Sequence, residues 1–179
     1  MTSQDIDINH EERAALIIID VQQALFEKTT PIPNPGALLQ TINRLIKQAH
    51  EREIPVFFFR HANKSFLAPG SAGWNLHTDL HPSATDIVLE KQHGNAFQDT
   101  PFDQELHARK VTRLIVTGLV TNGCVRATCE AALKRGYAVT VVKDGHSTYQ
   151  KGAAAIIEEW NQRFSEQGIE VVMSDDILN

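Results

Sequence analysis

Six short apolar runs rich in β-branched residues constrain this chain most. They are Ala15-Leu16-Ile17-Ile18-Ile19, Val56-Phe57-Phe58-Phe59, Ile87-Val88-Leu89, Leu114-Ile115-Val116, Ala138-Val139-Thr140-Val141-Val142 and Ile169-Glu170-Val171-Val172. A strand with one wet face alternates apolar and polar residues. A continuous run suits a strand covered on both faces, which is the situation of a parallel sheet. Helical patterns lie between the runs. Leu38, Leu39, Ile42, Leu45, Ile46 and Ala49 follow Pro35-Gly36 at spacings of one, three and four. A second helix is expected over 124–135, stopped by Gly136, and a third over 152–167, stopped by Gly168. Strand, helix, strand in repetition predicts a doubly wound α/β fold.

A chain of 179 residues fits one core, burying roughly 70% of its unfolded surface. A single domain over 1–179 is therefore expected, with 1–13, polar and partly charged, as a flexible arm. That arm has no apolar stretch for a signal peptide, and no run approaches the ~18 residues of a membrane span. Seventeen basic against 22 acidic side chains leave a net charge of -5. That balance argues against nucleic acid or an anionic membrane as partner. Two cysteines cannot build a disulfide scaffold. The expectation is a cytoplasmic protein. The stretch 61–83, containing Pro69-Gly70-Ser71-Ala72-Gly73-Trp74, reads as a long loop that walls or covers a pocket.

Ligands of open α/β sheets bind beyond the carboxyl ends of the strands. Three reactive side chains stand there: Asp20, Lys91 and Cys124. Gly118 to Gly123 has the spacing of a phosphate loop, but Cys124 and Val125 follow where Lys and Ser or Thr are needed. A turn feeding a helix still offers free N–H groups and a positive dipole end. A thiol placed there is expected to have a lowered pKa, and the N–H groups can hold an oxyanion. Position alone leaves open whether Cys124 is a nucleophile or a small packing residue. Cys129, among Ala127, Thr128, Ala131 and Ala132, reads as packing. Asp20 and Lys91 read either as acid–base partner and electrostatic aid to the thiol, or as a structural ion pair.

These blocks resemble those of the isochorismatase-like cysteine hydrolases, a superfamily that includes nicotinamidases and N-carbamoylsarcosine amidohydrolase. Leu16-Ile17-Ile18-Ile19-Asp20-Val21-Gln22 with Phe26 is similar to the block bearing the catalytic aspartate. Lys91-Gln92-His93-Gly94-Asn95-Ala96-Phe97 is similar to the lysine block. Val116-Thr117-Gly118-Leu119-Val120-Thr121-Asn122-Gly123-Cys124-Val125 resembles the nucleophile block, and the likeness continues through Val141-Val142-Lys143-Asp144.

The resemblance implies a three-layer α/β/α sandwich around a six-stranded parallel, Rossmann-like sheet, assembled as a homodimer or homotetramer. It implies attack by Cys124 on a carbonyl carbon, with Asp20 as general base and acid and Lys91 assisting. It implies a cis peptide between Leu119 and Val120, aiming the Val120 N–H, with that of Cys124, at the oxyanion. Phe26, Phe66 and Trp74 are the substrate-pocket residues it suggests, though each also fits a core or subunit contact. His146 ends a strand and reads equally as a pocket residue or as a cap. Nicotinamidases carry an Asp-x-His metal element after the second strand. Arg60-His61-Ala62-Asn63 stands there instead. His77 and His81 are four apart, but Pro82 follows and no third ligand is evident. No metal and no cofactor are expected. The expected activity is hydrolysis of a C–N bond in a small amide, ureido or lactam molecule. The alternatives are a vinyl-ether hydrolase, a non-catalytic binding protein on the same scaffold, and a redox protein, for which a Cys-x-x-Cys pair is missing.

Overall fold

The computed structural model of the chain describes residues 12–177. Six strands form one sheet: β1 (Ala14–Ile19), β2 (Val56–His61), β3 (Ile87–Lys91), β4 (Arg113–Leu119), β5 (Ala138–Ser147) and β6 (Glu170–Val172). Their order is β3-β2-β1-β4-β5-β6. Every pairing is parallel. The helices are α1 (Gln23–Phe26), α2 (Pro35–Glu51), α3 (Phe102–Ala108), α4 (Arg126–Lys134) and α5 (Ala153–Glu166).

The apolar runs behave as strands buried on both sides. Ala15, Ile17 and Ile19 of β1 join a core with Phe102 and Leu106 of α3, Cys129 and Ala132 of α4, and Phe164 of α5. Leu16 and Ile18 point the other way, into a core with Leu38, Ile42, Leu45 and Ile46 of α2. Successive strand residues face opposite sides, so both faces of the sheet need a helical cover and the result is the expected three layers. Pro35 opens α2, where its missing N–H costs nothing.

Differences from the sequence reading are local. The helix expected over 124–135 is two pieces. A single wide turn, Thr121–Val125, kinked at Gly123, whose backbone is non-helical, leads into α4 at Arg126. The run ending at Val142 continues to Ser147, because β5 shifts register: Val116 pairs with Val141, but Gly118 pairs with His146. Helix α3, short and mostly polar, has no clear apolar period. Of the expected arm, residues 1–11 lie outside the described residues. Its last two are anchored rather than loose: the Glu12 carboxylate accepts from Arg113, and the Arg13 carbonyl accepts from the Thr112 N–H. Among the described residues, no helix is long and apolar enough to cross a membrane.

Strand order reverses at β1, which lies between β2 and β4. Such a switch point opens a crevice at the carboxyl edge of the sheet. Gly118 lets the strands close tightly below that crevice. Its φ is +112°, and a Cβ there would stand 2.1 Å from the Ile19 carbonyl oxygen.

Candidate active site

Asp20 leaves β1 with φ 51°, in the left-handed region that few side chains other than Asn and Asp adopt. Its N–H donates to the Phe59 carbonyl on β2. Gln22 fixes the next turn. Its Nε2 donates to the His61 and Trp74 carbonyls, and its Oε1 accepts from the His61 N–H. One buried amide thus binds the end of β1 to the end of β2 and to the 61–83 loop.

Lys91 closes β3, opposite His61 in the register. Asp20 and Lys91 are both buried. Lys91 Nζ donates to Asp20 Oδ2 at 2.8 Å, to the His93 carbonyl at 3.1 Å and to His61 Nδ1 at 3.2 Å. An ammonium has three N–H bonds and no acceptor, so this one is fully used. His61 Nδ1 must then be the acceptor, which leaves the proton of the neutral ring on Nε2. Burial and the Lys91 charge both lower the His61 pKa, in keeping with a neutral ring. Asp20 Oδ1 is buried and has no hydrogen-bond partner.

Cys124 is half-buried in the 121–125 turn. The Leu119–Val120 peptide that enters this turn is cis. Gly123 keeps the turn compact: a Cβ there would come 2.8 Å from Val120 Cγ2. A carboxylate oxygen of Asp20, a ring nitrogen of His61 and Sγ of Cys124 lie within 4.8 Å of one another. The lowered thiol pKa expected from a helix start is not found. The thiol sits inside the turn and is largely desolvated, so burial raises its pKa to about 12; the Asp20 charge adds to this and Lys91 opposes it. The resting thiol therefore keeps its proton.

These groups open into a cavity of about 150 Å³, lined also by Asn63, Phe66, Leu67, Leu119, Val120 and Tyr149. That space equals roughly five water volumes. A larger hollow of about 850 Å³ lies at the opposite edge of the sheet, between residues such as Arg52, Pro55 and Arg109, and has no cysteine, serine or threonine among its described lining residues.

Of the three suggested pocket aromatics, Phe66 lines the cavity, whereas Phe26 and Trp74 do not. Phe26 packs on the His77 ring. Trp74 is buried in the α2-side core beneath the Arg60 guanidinium, 3.6 Å from its ring centroid. His146 is buried away from the cavity. Its Nδ1 lies 2.8 Å from Thr121 Oγ1 and its Nε2 2.9 Å from Asn161 Oδ1. His77 Nδ1 accepts from the Asp79 N–H, and the His81 N–H donates to Asn43. Among the described residues, neither histidine belongs to a group able to share an ion. Cys129 is fully buried in the core.

Sequence reasoning passed over His61 and Tyr149. His61 directly ends a strand, so the rule that singled out Asp20 and Lys91 would also have found it. Tyr149 follows the register shift of β5, which no local pattern announces.

A family model of the isochorismatase domain matches residues 14–172. The chain belongs to the isochorismatase family. It is 31% identical over 147 residues to a streptothricin hydrolase of Streptomyces noursei, covering 81% of this chain and 58% of that protein. A ureidoacrylate amidohydrolase of Methylobacterium radiotolerans is 29% identical, over 79% of this chain and 69% of its own length. Among solved structures, the N-carbamoylsarcosine amidase of Thermoplasma acidophilum superposes with a TM-score of 0.82 at 26% identity, covering 93% of this chain and 99% of that one. The chain spans little more than half the length of the streptothricin hydrolases it matches.

Proposed function

We propose that this isochorismatase-family protein hydrolyses a C–N bond in a small amide, ureido or lactam compound through an acyl-enzyme on Cys124. The observation that carries this reading is the arrangement of proton donor and acceptor. A thiol that holds its proton to about pH 12 stands beside a buried carboxylate whose Oδ1 is unpartnered.

With a carbonyl in the cavity, Asp20 Oδ1 takes the thiol proton and Sγ attacks the carbonyl carbon. The Lys91 charge favours the thiolate that forms. The oxyanion is held by the N–H groups of Val120 and Cys124. Asp20 returns the proton to the nitrogen as the C–N bond breaks, and ammonia or an amine departs. Asp20 then takes a proton from water, whose oxygen attacks the thioester. The acid leaves and Cys124 recovers its proton. No step needs a metal or cofactor. The likeness to an amidohydrolase of a ureido compound and to an amidase of a carbamoyl compound supports this bond type. A half-buried thiol and a buried carboxylate lining one cavity favour the covalent route over vinyl-ether hydrolysis.

The test is a screen of primary amides, carbamoyl amino acids, ureido compounds and lactams for ammonia release or ring opening, followed by intact mass. Cys124→Ala and Asp20→Asn are expected to lower turnover at least ~10³-fold while keeping the far-UV spectrum. An acyl adduct mapped to Cys124 is expected in the wild-type chain. Full turnover by Cys124→Ala would sink the mechanism.

A further inference from the structure

The rim of the cavity carries a charge that the chemistry above leaves unused. Lys28 Nζ lies 3.1 Å from the ring centroid of Phe66 and 5.5 Å from that of Tyr149. Both rings line the cavity together with Asp20 and Cys124. The negative face of an aromatic ring attracts an ammonium, so Lys28 rests over the cavity wall. Among the described residues, it has no carboxylate partner. Contact with the rings desolvates it and lowers its pKa.

Inside the cavity the formal charges cancel: Asp20 faces Lys91, and His61 is neutral. At the rim Lys28 meets aromatic rings instead of a carboxylate. Lys64 is exposed two residues before Phe66, and Lys151 two residues after Tyr149. Glu27, the acid beside Lys28, accepts from Gln23 Nε2. Of these charges, Lys28 is the one set against the cavity wall, on the Phe66 and Tyr149 rings. Phe66 itself is 47% exposed, so the clasp it makes with Lys28 can open without unpacking the core.

We propose that Lys28 binds an anionic group of the substrate, which makes the substrate class a small amide or ureido compound bearing a carboxylate or similar anion. The anion lies at the rim while the scissile carbonyl reaches Cys124; this placement of the carbonyl rests on the hydrolase reading above. Binding replaces an ammonium–ring contact by a charge-assisted hydrogen bond. The aliphatic stem of Lys28 allows the short swing this needs.

Iodoacetate and iodoacetamide bring the same carbon and leaving group to a thiol and differ in charge. The ratio of their alkylation rates at Cys124, read by peptide mapping of the full chain, cancels the reactivity of the thiol itself. Lys28→Met is expected to lower the acetate-to-acetamide ratio about tenfold, and Lys28→Arg to restore most of it. An unchanged ratio in Lys28→Met overturns the proposal. A carbamoyl amino acid and its neutral carboxamide form the second pair. There Lys28→Met is expected to raise KM for the acid about tenfold with kcat nearly held. Equal losses on both members would overturn it, making Lys28 a packing residue of the rim. A shifted ratio without any turnover would instead sink the hydrolase reading and leave the anion site standing.

Discussion

Lys91 is the residue whose environment explains most of the site. Its three N–H groups meet a carboxylate, a carbonyl and a ring nitrogen, so its position and the tautomer of His61 are set together. Removing it leaves the Asp20 carboxylate buried without its counter-charge. Lys91→Met is therefore expected to cost about 3–5 kcal/mol of stability, the usual consequence of breaking a buried pair from one side. Urea unfolding measures this. The double variant Asp20→Asn with Lys91→Met should recover part of the loss, because it removes both charges; a loss equal to the sum of the single variants would mean that the two residues do not interact. Asp20 and Lys91 were legible in the sequence because Asp20 follows directly on one apolar run and Lys91 follows another after a single residue, Glu90. The state of Cys124 was not legible. Its pKa depends on how deeply the turn sinks and on the distance to Asp20, both of which are tertiary quantities.

At the scale of elements, one buried histidine ties β5 to the 121–125 turn and to α5 by hydrogen bonds. Thr121 Oγ1 donates to His146 Nδ1, and His146 Nε2 donates to Asn161 Oδ1 on α5. The neutral ring satisfies both bonds. Burial lowers its pKa to about 4 from an ordinary 6.5. Between those values the unfolded chain takes up a proton that the folded chain refuses, so stability falls as pH drops from 6.5 towards 4. The contribution of this group is on the order of 3 kcal/mol, complete above pH 6.5 and gone below pH 4. His146→Gln is expected to flatten that part of the acid limb in urea titrations at successive pH values. A limb as steep as that of the wild type would contradict this. The same element marks the limit of the sequence reading. The strands themselves were legible, since burial on both faces writes continuous apolar runs. The register shift that carries His146 to Thr121 was not, because Asp144-Gly145 reads as an ordinary strand end. Helix α3 escaped for a similar reason: one turn of it packs Phe102 and Leu106, too little for a period to emerge.

For the whole molecule, two cores share one sheet, and each holds one of the two tryptophans. Trp74 belongs to the α2 side, and Trp160 packs on the side of α3, α4 and α5. Every residue of β1 contributes to one core or the other, so neither can come apart while the sheet stays intact. One cooperative transition is expected. In Trp74→Phe and Trp160→Phe alike, the midpoint from the remaining tryptophan should coincide with the midpoint from far-UV circular dichroism in the same variant. A fluorescence midpoint that precedes the loss of secondary structure in either variant would show the layers separating. The site depends on this unity. Asp20, Lys91 and Cys124 come from the ends of three different strands, and only an intact sheet brings them together.

The high thiol pKa also bears on how long the proposed nucleophile survives. Thiolate, not thiol, is the form that peroxides attack. Burial raises the Cys124 pKa far above neutral pH, so very little of it is thiolate. Cys124 has no neighbouring cysteine to rescue it through a disulfide, because Cys129 is sealed in the core. On the proposed mechanism, keeping the proton in place until a substrate arrives is therefore a form of durability: the attacking group is shielded from oxidants between turnovers.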